Sequence, residues 1–162
     1  MTRYIINIMG PQAVGKSTII QELKDYLPEY SIFSIDDYRR RYSDATPEGE
    51  MKAWSKMFQW AGQAQNIIVE SSGTSRNLRL FLTGLTEGKM IHILLSASTN
   101  TRESRHLMRL SAGYHVPPMY FPTNFYHDAS CLYRPDVEIV TEKKQPYEVA
   151  AQIIESLPSA FI

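Results

Sequence analysis

"GPQAVGKST", residues Gly10 to Thr18, follows directly on the apolar run "YIINIM" (Tyr4 to Met9) and is followed by Ile19, Ile20, Leu23 and Leu27 at helical spacing. Strand, glycine loop and helix in that order are the context in which G-x-x-x-x-G-K-[ST], here Gly10, Gly15, Lys16 and Ser17, reads as a phosphate-binding loop. Glycines let backbone N–H groups turn inward on an anion, the helix start adds the positive end of its dipole, and Lys16 supplies charge. An ordinary helix start capped by Ser17 or Thr18 accounts for neither Lys16 nor the second glycine. Gly10, Ala13, Val14, Gly15, Lys16, Ser17 and Thr18 are therefore candidates to hold nucleotide phosphates, with Ser17 the expected Mg²⁺ ligand.

Working outward, "YSIFSI" (Tyr30 to Ile35), "NIIVE" (Asn66 to Glu70), "MIHILLS" (Met90 to Ser96) and "VEIV" (Val137 to Val140) read as four further strands. Strands alternating with helical stretches imply crossover units, hence an α/β fold with a five-stranded, mainly parallel sheet flanked by helices. Leu27-Pro28 closes the first helix and Pro146 suits the first turn of the last, whose apolar face carries Val149, Ile153, Ile154 and Leu157. The aromatic, proline-rich stretch Ser111 to Pro135 reads as a long functional loop or lid remnant.

The 162 residues, 43% of them hydrophobic, suffice for one α/β core, so residues 1–162 are expected to form one domain. Lys plus Arg and Asp plus Glu both total 17, so any polyanion partner must be held by a local cluster. The single cysteine, Cys131, the absence of a leader-like start and the shortness of the apolar runs lead to the expectation of a cytoplasmic protein without membrane partners. Neither the D-x-x-G nor the N-K-x-D element of regulatory GTPases occurs, which disfavours a guanine switch. His115 and His127 imply no metal site, because no second ligand pair stands at a recognisable spacing.

The second strand leads into "IDDYRRRY", Ile35 to Tyr42. Carboxyl ends of strands face the ligand crevice of an open α/β sheet, so Asp36 should lie near the phosphate loop. A carboxylate there can take the proton of an attacking hydroxyl, and Arg39 can hold an anionic group of the acceptor. Asp37, Arg40 and Arg41 read instead as a capping and solvated face.

"GPQAVGKST" followed by "IDDYRRRY" resembles the kinase module of phage-type polynucleotide kinases, in the P-loop kinase branch that also contains nucleotide and small-metabolite kinases. The resemblance implies a three-layer P-loop kinase fold with a helical lid, and ATP and Mg²⁺ as cofactors. It matches Asp36 to the general base and Arg39 to the arginine that binds the acceptor's phosphate. In that family, the helix of "NTRESRHLMRL" is a lid whose arginines reach across the phosphates. Arg105 and Arg109 are then candidate catalytic groups and Arg102 a nucleotide-binding one, all on one helical face, with Asn100 or Thr101 as cap.

Glu70 ends the third strand where such kinases carry a group facing the acceptor or the metal's water shell, and no apolar run ending in Asp supplies the usual second metal anchor. Ser71, Ser72, Thr74, Arg76 and Asn77 form a polar rim, with Glu70 and Arg76 candidates for substrate contact, while Thr74 or Ser75 can equally cap the helix containing Leu78 and Leu82. Tyr114, His115, Tyr120, Phe121, Phe125, Tyr126, His127 and Tyr133 can stack on a base or pack the underside of a loop. The leading expectation is an ATP-dependent kinase acting on a hydroxyl of nucleic acid, either a 5′-hydroxyl terminus or a hydroxymethyl pyrimidine in DNA. Alternatives are a nucleoside, nucleotide or small-metabolite kinase and a non-catalytic ATP-binding regulator, the last favoured only if Glu70 lies far from the site. Oligomeric state is left open.

Overall fold

The computed structural model describes residues 2–85, 87–114 and 133–162. Five strands, β1 (Tyr4–Met9), β2 (Tyr30–Ser34), β3 (Asn66–Ser71), β4 (Lys89–Ser96) and β5 (Val137–Val140), form one sheet in the order β2-β3-β1-β4-β5, with every neighbouring pair parallel. The helices are α1 (Lys16–Tyr26), α2 (Ile35–Tyr42), α3 (Pro47–Ala61), α4 (Arg76–Gly84), α5 (Thr99–Ser111) and α6 (Pro146–Ser156), and a short 3₁₀ turn (Ser159–Phe161) follows. No helix among the described residues is long and apolar enough to cross a membrane.

A parallel sheet is covered on both faces, and the alternation along β1 shows how. Ile6 and Ile8 join one core with Ile19, Ile20 and Leu23 of α1 and Val149 and Ile153 of α6. Ile5 points the other way, into a second core with Trp54 and Met57 of α3 and Leu78, Phe81 and Leu82 of α4. The expected strands and the α1, α4, α5 and α6 helices all form, with ends shifted by a residue: β2 stops at Ser34, β3 runs on to Ser71 and β4 starts at Lys89.

Helix α3 was not singled out in the sequence, although its start is well marked. Thr46 accepts a hydrogen bond from the Gly49 N–H at 3.0 Å and Pro47 occupies the first turn, which places Trp54, Met57 and Ala61 on the buried face. Buried Asn7 in β1 is an apparent break in the apolar pattern. Its Oδ1 accepts from Ser71 Oγ at 2.9 Å and its Nδ2 lies 3.1 Å from His92 Nδ1, so its polar ends are partnered across three strands. Burial pushes the His92 pKa down, against the pull of Asp136, which favours the neutral ring that can accept from Asn7.

β1 leads into α1 on one face while its neighbour β3 leads into α4 on the other. The crevice between their carboxyl ends is the place where an open α/β sheet binds ligand.

Leu23 is fully buried between the sheet and α6, so Leu23→Ala is expected to lower the unfolding free energy by about 2–5 kcal/mol in a urea titration. A loss below about 1 kcal/mol would contradict the packing of α1 against the sheet.

Candidate functional site

Gly10 lies where β1 ends and passes so close to β4 that an added Cβ would stand 2.8 Å from both the Leu95 carbonyl oxygen and Val14 Cγ1. Gly15 adopts φ 108°, a left-handed conformation that L side chains rarely take, and turns the chain into α1. Lys16 folds back across this loop, its Nζ donating to the carbonyls of Gly10 at 2.8 Å and Pro11 at 3.0 Å. Burial pushes the Lys16 pKa down to about 8, opposed by the carboxylates of Glu70 and Asp36 and reinforced by Arg109 and Arg102.

Ser17 Oγ donates to Glu70 Oε1 at 2.6 Å. The parallel register sets Glu70 opposite Ile8 in β1 and Ser34 in β2, at the carboxyl end of the sheet's middle. The carboxylate one residue before the end of β3 therefore touches the hydroxyl expected to bind Mg²⁺, the position from which an acidic residue can order a metal's water shell. Hydroxyl, carboxylate and a glycine-shaped loop leading into a helix start form a donor set suited to Mg²⁺ and nucleotide phosphates.

Because β2 runs into α2 without a loop, Asp36 sits in the first turn of the helix at the same crevice. Arg39, one turn on, donates from Nη1 to Asp36 Oδ1 at 2.9 Å. It also grips Glu50 of α3 with two bonds, Nε to Oε2 at 2.8 Å and Nη2 to Oε1 at 2.6 Å. Trp54 Nε1 donates to the same Glu50 Oε1 at 2.8 Å. Hydrogen bonding to Glu50 holds the Arg39 pKa above its usual value, and the Arg39 bonds hold the Glu50 carboxyl below its own. Arg40 lies on the exposed side of α2, the solvated face expected of it, and pairs with Asp37, which does not cap the helix because Ser34 takes that position.

The arginines of α5, equivalent in the sequence, have different surroundings. Arg102 is buried, 2% exposed, beneath the helix. Arg105 reaches behind the phosphate loop: Nη1 donates to the Val14 carbonyl at 2.9 Å and to Thr141 Oγ1 at 3.0 Å, and Nη2 to the Thr141 carbonyl at 3.0 Å. Arg109 lines the crevice itself, with His106 beside it. The cap of α5 is Ser98 rather than Asn100 or Thr101, because the helix already begins at Thr99 and Ser98 Oγ accepts from the Thr101 N–H at 3.3 Å. Glu142, beyond β5, fastens this helix start by accepting from Ser98 N at 2.8 Å and Thr101 Oγ1 at 2.9 Å.

Together these groups line a cleft of about 420 Å³ that holds Lys16, Ser17, Asp36, Arg39, Glu70 and Arg109 in its walls. A neighbouring hollow of about 370 Å³ lies between Thr18, Arg105, Thr141, Lys144 and Pro146. Arg76 is exposed at the start of α4 and is not part of the cleft wall, while Ser72, Thr74 and Ser75 are, with Ser75 capping that helix. Of the aromatic stretch, residues 115–132 lie outside the described residues, including His115, Tyr120, Phe121, Phe125, Tyr126 and His127. Tyr133 packs under the sheet, stacked on His92 at a ring-centroid distance of 4.6 Å.

Glu50, Trp54, Thr141 and Glu142 escaped the sequence reading. The first two were findable through the Thr46-Pro47 start of α3, whereas the last two had no local signal because their partners are 36 to 127 positions away.

No protein-family model and no curated protein matches the sequence. Solved structures do share its fold. Shikimate kinase from Acinetobacter baumannii, in complex with shikimate, superposes with a TM-score of 0.64 at 18% identity, over 96% of this chain and 92% of that one. The Deinococcus radiodurans tunicamycin resistance protein does so with 0.66 at 21%, over 94% of each chain. APS kinase from Mycobacterium tuberculosis, in complex with AMPPNP and APS, gives 0.60 at 13%, over 95% of this chain and 96% of that one. The architecture is the P-loop kinase fold.

Burial of Lys16 gives the site a pH signature. Between its folded pKa of about 8 and its ordinary value of 10.5, the folded chain binds fewer protons than the unfolded one, so stability of the nucleotide-free protein rises with pH across that window. Affinity for Mg²⁺-ATP runs the other way, falling above about pH 8 by up to about tenfold per pH unit as the ammonium is lost. Calorimetry on wild type and Lys16→Met checks both trends, and persistence of either in the variant would assign it to another group.

Proposed function

We infer that this chain is an ATP- and Mg²⁺-dependent phosphotransferase that moves the γ-phosphoryl group of ATP to an alcohol. The observation that carries this reading is the convergence on one cleft of a lysine-crossed phosphate loop, a hydroxyl–carboxylate pair suited to Mg²⁺ and a second, solvent-facing carboxylate, Asp36. Loop N–H groups and Lys16 bind the phosphates, with Gly10 and Gly15 as the residues whose shape makes the loop possible. Bound on Ser17, with Glu70 ordering its water shell, Mg²⁺ would neutralise phosphate charge.

Asp36 orients the acceptor hydroxyl and takes its proton as the new oxygen–phosphorus bond forms and the bond to the departing ADP breaks. Arg109 faces the same space and balances negative charge that grows on the transferring group. Arg105 acts from behind, fixing the Val14 carbonyl and hence the loop, with Arg102 packed beneath the same helix. In this assignment α5 is the lid-bearing element, and the hollow between Thr18 and Lys144 takes the nucleoside.

The 2.6 Å bond between Ser17 and Glu70 supports catalysis over a purely regulatory nucleotide site, since it brings the metal-ordering carboxylate to the loop. For the acceptor, a small molecule is better supported than a nucleic-acid end. The cleft is at the small end of ligand pockets, Arg76 stands outside it, and fold neighbours named for a small-molecule acceptor include a shikimate kinase, an APS kinase and a gluconokinase. A 5′-hydroxyl terminus or hydroxymethyl pyrimidine is the second reading, supported by the resemblance of "GPQAVGKST" and "IDDYRRRY" to the kinase module of polynucleotide kinases.

With γ-labelled ATP and a panel of nucleosides, sugars, small alcohols, 5′-hydroxyl oligonucleotides and hydroxymethyluracil DNA, label is expected on a small alcohol, and label on the nucleic acids alone would reverse that preference. On the acceptor found, Asp36→Asn is expected to retain ATP binding and slow transfer by about 10²-fold or more. Arg109→Ala should lower kcat by a similar factor while leaving the fold intact. An unchanged rate in either would remove that residue from the chemistry.

A further inference from the structure

Resting on the kinase reading above, we propose that the acceptor is an uncharged, hydroxyl-rich small molecule, and that the Asp36–Arg39–Glu50 cluster is the device that turns away compounds bearing phosphate or carboxylate groups. Among the described residues, the cations lining the cleft are Lys16, Arg39, Arg109 and the titratable His106. Lys16 and Arg109 flank the phosphate loop and the transferring group, so Arg39 is the one permanent cation left for the acceptor's end.

Three of that guanidinium's five N–H groups are already committed. Nε and Nη2 of Arg39 satisfy both oxygens of Glu50 and Nη1 satisfies Asp36, two carboxylates to one guanidinium, which leaves the cluster with net negative charge. Releasing Arg39 to an anion would strand the half-buried Glu50, whose other partner is the indole N–H of Trp54. The hydrogen bonds that raise the Arg39 pKa show the same commitment from its side. An acceptor phosphate would therefore meet a net-negative wall, an arrangement that builds specificity by repulsion.

Arg76, at the start of α4, is exposed and stands outside the cleft wall. Residues 115–132 contain no lysine or arginine, so that stretch brings no permanent cation to any site. What the acceptor half does offer is a rim of hydroxyls, Ser72, Thr74 and Ser75, over an apolar floor of Ile35 and Leu78. Short hydroxyls both donate and accept, the chemistry that recognises alcohol groups rather than formal charge.

The test uses inorganic sulfate as a probe for a free cation at the acceptor's end. The full chain is first saturated with Mg²⁺ and AMPPNP, binding followed by calorimetry, so that Lys16 and Arg109 are already occupied by phosphates. Sulfate is then expected to show no saturable site on wild type, and to bind at least about tenfold more tightly to Glu50→Gln, where Arg39 has lost its charged partner. Saturable sulfate binding to loaded wild type that Arg39→Ala abolishes would overturn the proposal, as would a Glu50→Gln protein that folds and binds AMPPNP but gains nothing. Failure of AMPPNP to bind wild type would instead overturn the kinase reading, and this proposal with it.

A second measurement needs no variant. Labelled transfer is compared for neutral alcohols and their own phosphate monoesters, and kcat/KM is expected to favour the neutral member of each pair. Preference for the phosphorylated member would overturn the assignment while leaving the kinase reading standing.

Discussion

A parallel sheet buried on both faces leaves one place for chemistry, the carboxyl ends of its strands. Everything functional in this molecule follows from that constraint. Gly10 and the phosphate loop extend β1, Asp36 follows β2, Glu70 lies in the last turn of β3's pleat, and α5 rises from the end of β4. The two cores, α1 and α6 on one face and α3 and α4 on the other, hold the strand ends in register. Neither core supplies a charged group to the crevice except through helix starts, where the dipole favours anions at the phosphate loop.

Charge in the crevice is arranged as compensated pairs. Lys16 is bonded to backbone carbonyls and depressed by burial, Glu70 is bonded to Ser17, and Arg39 is divided between Asp36 and Glu50. Such pairing keeps the side chains oriented without ligand, which lowers the reorganisation needed when phosphates arrive. The walls of the cleft combine a lysine and an arginine able to meet phosphate with the carboxylates Asp36 and Glu70 and several hydroxyls. The division of labour on α5 has the same logic. Arg105 is committed to Val14 and Thr141 and shapes the loop, leaving Arg109 to face the crevice.

The parts of this organisation that were legible in the sequence share a physical property: they are set by neighbours a few residues away. Strand alternation, helical spacing in α1 and α6, proline at helix boundaries and the glycine–lysine loop all depend on local backbone geometry. Helix α3 belonged to this class too, since Thr46 and Pro47 mark its start, but its apolar face is interrupted by Glu50 and Lys56, which blurs the pattern. The arginines of α5 fell outside it. Spacing puts them on one face of a helix and cannot say that one lies beneath, one behind the loop and one in the cleft.

The sequence by itself thus determined the phosphate loop, the α/β alternation and the placement of Asp36 at a strand end, because each is a property of consecutive residues. Only the tertiary structure decided which carboxylate meets Ser17 and that Glu50, itself bonded by Trp54, holds Arg39. It alone, too, showed that Arg39 is tied down and that Arg105 and Arg109 part company. Those outcomes depend on side chains brought together from separate elements, Ser17 with Glu70 and Arg105 with Thr141. Their energies come from burial and pairing that no local stretch of chain contains.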